Sequence, residues 1–123
     1  MSLNASTEMY LEAIYVLLNT KGNVRSIDVA EYLKFSKASV SRAVGILKND
    51  GYILVDDAGY ITLTNKGQKS GNKIFERHTI LTEVLKAIGV DETVASENAC
   101  RIEHVITDEA FDAIKKYYET IKL

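Results

Sequence analysis

Two residues, Lys34 and Phe35, separate an amphipathic stretch ending at Leu33 from Ser36, and that narrow gap constrains the chain more than any other feature. Serine, threonine and aspartate favour the position before a helix because their side-chain oxygen accepts a backbone N–H that has no partner within the helix. Ser26 therefore predicts a short helix to about Leu33 with Ile27, Ala30 and Leu33 on one side, and Ser36 predicts another from Lys37 to about Asn49. On the latter, Val40, Val44 and Leu47 form a narrow i, i+4, i+7 stripe, which leaves Lys37, Ala38, Ser39, Ser41, Arg42 and Gly45 off the core. A short helix pair around a tight turn, the second member showing small and basic residues outward, has the helix-turn-helix pattern.

The rest of the chain extends this frame. Proline is absent, so glycines and small polar residues must punctuate the elements. Ser6 or Thr7 predicts the cap of a first helix to about Asn19, with Tyr10, Ile14, Leu17 and Leu18 at helical spacing and Lys21-Gly22-Asn23 ending it. Tyr52-Ile53-Leu54-Val55 and Tyr60-Ile61-Thr62-Leu63, around the turn Asp56-Asp57-Ala58-Gly59, predict a hairpin placed as a wing. Thr64 caps a long helix with Ile74, Leu81, Leu85 and Ile88 toward a core and Gly89 as its terminator. Asp91 caps a fifth helix to about Val105, and Thr107 a sixth from about Asp108. The expected fold is mainly α with a small β-wing: a winged helix-turn-helix over 1–63, then a helical dimerisation domain over 64–123, without a flexible linker. Met1, Ser2 and Leu3 carry no weight in this reading. Val94, Ile106, Phe111, Ile114 and Tyr118 exceed what one short domain buries alone, so a symmetric homodimer is expected.

Charge is unevenly placed. The net charge of −2 argues against a nucleic-acid partner, but Lys21 to Lys48 holds six bases against Asp28 and Glu31, whereas Glu76 to Leu123 holds ten acids against six bases. The basic half contains the helix-turn-helix, which favours double-stranded DNA. Ser36, Lys37 and Ser39 at the helix N-terminus suit phosphates, Ser41 shares the outward face, and Arg42 suits the O6 and N7 edge of guanine. The acidic wing tip, Asp56 and Asp57, is not expected to grip phosphate strongly. No apolar run is long enough for a membrane span and no secretory signal pattern opens the chain, so a cytoplasmic location is expected.

One cysteine and two histidines exclude a disulfide framework and a four-ligand zinc finger. Two of the three nevertheless sit together in Cys100-Arg101-Ile102-Glu103-His104, where a thiol, a carboxylate and an imidazole at i, i+3 and i+4 share one face of a helix. Taken singly, such a cysteine is usually a small hydrophobe, such a glutamate an exposed ion pair, and such a histidine a carbonyl's partner. The triplet favours a divalent metal. A Cys100–His104 catalytic pair is the weaker reading, because no orienting group or oxyanion motif accompanies it, and an enzyme is not expected.

Ser6-Thr7-Glu8-Met9-Tyr10-Leu11-Glu12-Ala13-Ile14-Tyr15, the helix-turn-helix and wing, Glu76-Arg77-His78, Ile88-Gly89-Val90-Asp91 and Ala99-Cys100-Arg101-Ile102-Glu103-His104 together resemble the diphtheria toxin repressor family of metal-dependent regulators. The resemblance spans about residues 6 to 121. It implies a principal metal site of Met9, Cys100, Glu103 and His104, and iron as effector. Sulfur and imidazole donors suit Fe(II), Co(II), Ni(II) or Zn(II) better than Mn(II), while affinity order alone would favour nickel or zinc. The iron-responsive members' ancillary site starts at the position of His78, but Thr82 and Ser96 stand where its next carboxylate and histidine are expected. Manganese-responsive members place a glutamate at Glu12 that joins the histidine matching His78, yet they have Asp and Glu in place of Met9 and Cys100. This hybrid leaves room for a second ion at Glu12, His78 and Glu103. Longer members end in an SH3-like β-barrel, which this sequence does not include.

The resemblance thus implies a metal-activated repressor that binds palindromic operator DNA as a homodimer, with recognition helices about one DNA turn, ~34 Å, apart. A winged-helix regulator responding to an organic ligand or to oxidation of Cys100, without metal, is the alternative.

Overall fold

The computed structural model describes residues 4–122, so Met1, Ser2 and Leu3 lie outside it. Six helices and one hairpin are present among the described residues: α1 (Ala5–Thr20), α2 (Ser26–Leu33), α3 (Lys37–Asn49), β1 (Ile53–Val55), β2 (Ile61–Leu63), α4 (Asn65–Ala87), α5 (Glu92–Ile102) and α6 (Asp108–Ile121). They form two compact units, one up to Asn72 and one from Lys73. No described helix is long and apolar enough to cross a membrane.

In the first unit, α1, α2 and α3 pack around Leu11, Ile14, Val24, Val29, Val40 and Leu47, and the hairpin adds Ile53 and Ile61. The α3 stripe of Val40, Val44 and Leu47 is buried as its spacing predicts. On α2 the expectation is corrected: Val29 is fully buried and Ile27 is 43% exposed, because Val29 and Ala30 provide the apolar side of so short a helix. Lys34 closes α2 in the left-handed region, φ 60° and ψ 40°, which lets Phe35 N–H reach the Ala30 carbonyl and turns the chain within two residues.

The helix starts also refine the expectation. Asn4, not Ser6 or Thr7, caps α1: its Oδ1 accepts both the N–H and the hydroxyl of Thr7, at 2.8 and 2.6 Å. Ser26 is the first residue of α2 rather than its cap, and Asp28 reaches back to accept the Arg25 N–H at 2.8 Å. Ser36, Asp91 and Thr107 cap α3, α5 and α6 as expected.

The strands pair antiparallel, Ile53 with Leu63, Leu54 with Thr62 and Val55 with Ile61, one residue shorter at each start than expected. At the wing tip, Asp56 Oδ1 accepts the N–H groups of Ala58 and Tyr60, at 3.0 and 2.8 Å. The Arg25 guanidinium lies 5.2 Å from the Tyr60 ring centre, and Ile61 N–H donates to the Val24 carbonyl at 2.8 Å. The start of α4 is seated closely on this hairpin. Thr64 Oγ1 accepts the Gly67 N–H, and a Cβ on Gly67 would stand 1.9 Å from the Tyr52 carbonyl oxygen.

In the second unit, Ile80, Leu81, Ala99 and Phe111 form the core, with Val84, Ile102, Ile106, Ile114 and Tyr118 packed against it. Four of the five side chains expected to need a partner chain thus find partners inside the unit, and only Val94 is exposed. Ile88, expected in the core, is 66% exposed: the helix ends at Ala87, and Gly89 at φ 104° turns the chain. The Val90 and Gly89 N–H groups then satisfy the Leu85 and Lys86 carbonyls, at 2.9 and 3.0 Å.

Candidate metal centre

The second unit brings three of the expected ligands together. α5 ends at Ile102 rather than at about Val105, so Cys100 stands on its last turn while Glu103 and His104 occupy the turn that follows. Glu103 keeps helical angles, φ −59° and ψ −26°, with its N–H on the Ala99 carbonyl. Ligating atoms of Cys100, Glu103 and His104 consequently all lie within 4.8 Å of one another. Donors bonded to one ion at ~2.0–2.3 Å stand at most ~4.6 Å apart, so small side-chain rotations suffice for joint ligation.

Glu103 is 0% exposed, and neither of its carboxylate oxygens accepts a hydrogen bond from the described residues. A buried carboxylate so placed is costly without a cationic partner, which fits a metal ion. His78 on α4 approaches it, with Nδ1 3.4 Å from Glu103 Oε1, and His104 Nε2 lies 3.8 Å from the same oxygen. One turn after His78, the Thr82 hydroxyl donates to the His78 carbonyl at 2.7 Å.

Arg77, which the sequence offers only as part of the Glu76-Arg77-His78 segment and without a role, lies against the same turn. It is 7% exposed, and its Nη1 donates to the carbonyls of Glu103 and Ile106, each at 3.1 Å, while Nη2 pairs with Asp108. A signal was present: Arg77 stands three residues after Ile74 and four before Leu81, on the inward stripe of α4. Asp108 has its carboxyl held below the usual carboxylate range, first by a hydrogen bond from Lys73 and further by Arg77.

In the first unit, Met9 and Glu12 lie three residues apart on α1, both half-buried. Lys37, Ser39, Ser41 and Arg42 are exposed along one side of α3, and Ser36 is exposed at its start. Ser36 Oγ is engaged as the cap: it accepts the Ser39 N–H at 3.1 Å and donates to Ser39 Oγ at 2.9 Å. A cavity of about 300 Å³ opens between Ser26, Ile27, Lys37 and Ser41.

Two family models account for nearly the whole sequence. Residues 2–61 match the iron dependent repressor N-terminal DNA binding domain, and residues 64–123 match the iron dependent repressor metal binding and dimerisation domain. The chain belongs to the iron-dependent repressor family. Its members are transcriptional regulators rather than enzymes. A relative in this family, the HTH-type transcriptional regulator MntR of Lysinibacillus sphaericus, is 38% identical over 109 residues, covering 89% of this chain and 78% of that protein. The solved manganese regulator SloR superposes with a TM-score of 0.80 at 24% identity, covering 97% of this chain and 55% of that one. A hypothetical protein from Sulfolobus solfataricus gives 0.70 at 24% identity, over 94% and 88% of the two chains. At such identities these superpositions establish the winged-helix and helical-domain fold alone.

Proposed function

We propose that this iron-dependent repressor family member binds palindromic operator DNA as a homodimer when loaded with a divalent metal, Fe(II) being the effector. The observation that carries the reading is the convergence of thiol, carboxylate and imidazole within 4.8 Å, around a fully buried carboxylate that accepts no hydrogen bond from the described residues. A bound ion supplies the positive charge that this carboxylate and a neighbouring thiolate require.

Cys100, Glu103 and His104 are the core ligands, and Met9 is the fourth, which the family resemblance adds. Their sulfur and nitrogen content supports a borderline metal over Mn(II). A second ion at Glu12, His78 and Glu103 is proposed on the same resemblance, supported by the approach of His78 to Glu103. Residues 1–63 read DNA, with Arg42 on a guanine edge and Lys37, Ser39 and Ser41 along the backbone. Ser36 orders the start of the reading helix. Residues 64–123 hold metal and dimerise, which the exposed Ile88, Val94, Val105 and Tyr117 support. A DNA partner supports a cytoplasmic location.

The test is fluorescence polarisation of a duplex selected by the protein from a random-sequence pool, titrated anaerobically with Fe(II), Mn(II), Co(II), Ni(II) and Zn(II). Binding is expected to depend on metal and to favour Fe(II) and Co(II) over Mn(II), with Cys100→Ala abolishing that preference. DNA binding indifferent to a chelator refutes the reading.

A further inference from the structure

We infer that Arg77 is a positioning residue of the metal centre, acting on the backbone of the turn that carries two of its ligands; this rests on the reading of Cys100, Glu103 and His104 as that centre. A helix leaves its last carbonyls without partners, and they must be satisfied from elsewhere. Here α5 stops at Ile102, and the turn ties itself to the helix end through Val105 and Ile106 N–H on the Ile102 carbonyl at 3.0 and 2.9 Å. The carbonyls of Glu103 and Ile106 point instead to one guanidinium nitrogen of Arg77, and the other nitrogen holds Asp108 at the start of α6.

One buried side chain from α4 therefore pins three points of the segment between α5 and α6. The Phe111 ring, its centre 5.6 Å from the Arg77 guanidinium carbon, adds a wall. The pinned carbonyl of Glu103 belongs to the residue whose carboxylate lies buried beside His78, the next residue after Arg77. Fixing that carbonyl sets the backbone from which the Glu103 side chain leaves, while His78 faces the same carboxylate from the adjoining position on α4. The planar fork matters, because a lysine presents a point charge and cannot hold two carbonyls and a carboxylate in this arrangement.

The experiment titrates Co(II) into the full chain and into Arg77→Ala, Arg77→Lys, Asp108→Asn and Cys100→Ala variants. It reads the thiolate-to-cobalt charge-transfer band, the ligand-field spectrum at saturation and the Kd, all well below each melting temperature. Arg77→Ala is expected to raise the Kd about 10- to 100-fold and to alter the saturated spectrum, as loss of a ligand-orienting partner does. Arg77→Lys should restore little of this, and Asp108→Asn should shift Kd and spectrum less but in the same direction. A role in stability alone would lower the melting temperature and leave the saturated spectrum unchanged. Parental Kd and spectrum in folded Arg77 variants overturn the inference and leave the metal centre standing. If Arg77→Ala does not fold, Arg77→Lys and Asp108→Asn decide by the same criteria. No Cys100-dependent band in the parent protein overturns the metal centre, and this inference with it.

Discussion

Replacing Gly67 by alanine puts a methyl group where the chain has no room. Its Cβ would stand 1.9 Å from the Tyr52 carbonyl oxygen, 2.9 Å from that carbonyl carbon and 3.1 Å from Leu63 Cδ2. Carbon and oxygen need ~3.3 Å, so α4 and the entry to β1 must part by about 1.4 Å. The oxygen being displaced accepts the Thr64 N–H at 3.1 Å, while the Thr64 hydroxyl gives its proton to the neighbouring Gly51 carbonyl at 2.6 Å and caps α4 by accepting the Gly67 N–H. Weakening the bond from Thr64 N–H to Tyr52 and the bond from Gly67 N–H to Thr64 costs about 2 kcal/mol, and overpacking about 2 more. The better helix propensity of alanine returns about 1 kcal/mol, for a net loss of about 3 kcal/mol. At roughly 4 °C per kcal/mol for a chain of this size, the melting temperature should fall by about 12 °C. Gly45, in the middle of α3, is the control, because a Cβ added there would meet nothing among the described residues within 4 Å. Gly45→Ala should raise the melting temperature by up to about 4 °C through propensity alone. Thermal unfolding followed by far-UV circular dichroism measures both. A Gly67→Ala protein melting within about 2 °C of the parent would refute the close seat of α4 on Tyr52.

Three further outcomes are expected. The Asp28 carboxyl is held below its ordinary value of 3.8, first by a hydrogen bond from Lys21 and then by the Arg25 N–H; its contribution is therefore complete above the unfolded value and fades as pH falls through the lower folded one. Acid titration of the melting temperature should show a smaller loss below about pH 4 for Asp28→Asn than for the parent, and identical acid profiles would contradict this. On the selected duplex, Arg42→Ala should cost about 1–3 kcal/mol and relax base preference, whereas Lys37→Ala should weaken all DNA alike and lower the salt slope by about one; two neutral variants would remove α3 as the reading helix. Cys100→Asp should swing metal-dependent DNA binding toward Mn(II), and Met9→Asp should do so less, because a hard oxygen replaces sulfur in each; a double variant with parental preference would make both residues packing groups.

The elements that could be read from the sequence are those specified locally. The stripe of Val40, Val44 and Leu47 is a matter of helical period, and Ser36, Asp91 and Thr107 announce their helices because a cap needs only a side-chain oxygen within reach of the next N–H groups. What escaped depends on contacts distant in sequence or on close local competition. Asn4, Ser6 and Thr7 all qualify as caps for α1, and Asn4 prevails by taking both the N–H and the hydroxyl of Thr7. The residues after Ile102 continue a helical pattern, yet the turn is held by carbonyl contacts to Arg77, at a separation of 26 residues for Glu103. Spacing alone singled out Cys100, Glu103 and His104, and their ligating atoms do converge. That Glu103 would be wholly buried beside His78 could not be read from spacing, since both facts arise from how α4 packs on the turn.

The tying of the wing tip has a consequence in time. Hairpin tips usually exchange their amide hydrogens quickly, because they open without disturbing the rest of a domain. Here the Tyr60 amide is bound to a carboxylate of its own turn, and the Ile61 amide crosses to Val24, outside the hairpin. Releasing the Ile61 amide means detaching the hairpin from the segment between α1 and α2, so its exchange follows a larger opening than fraying of the tip. An edge tied in this way would give up little conformational entropy on meeting a surface.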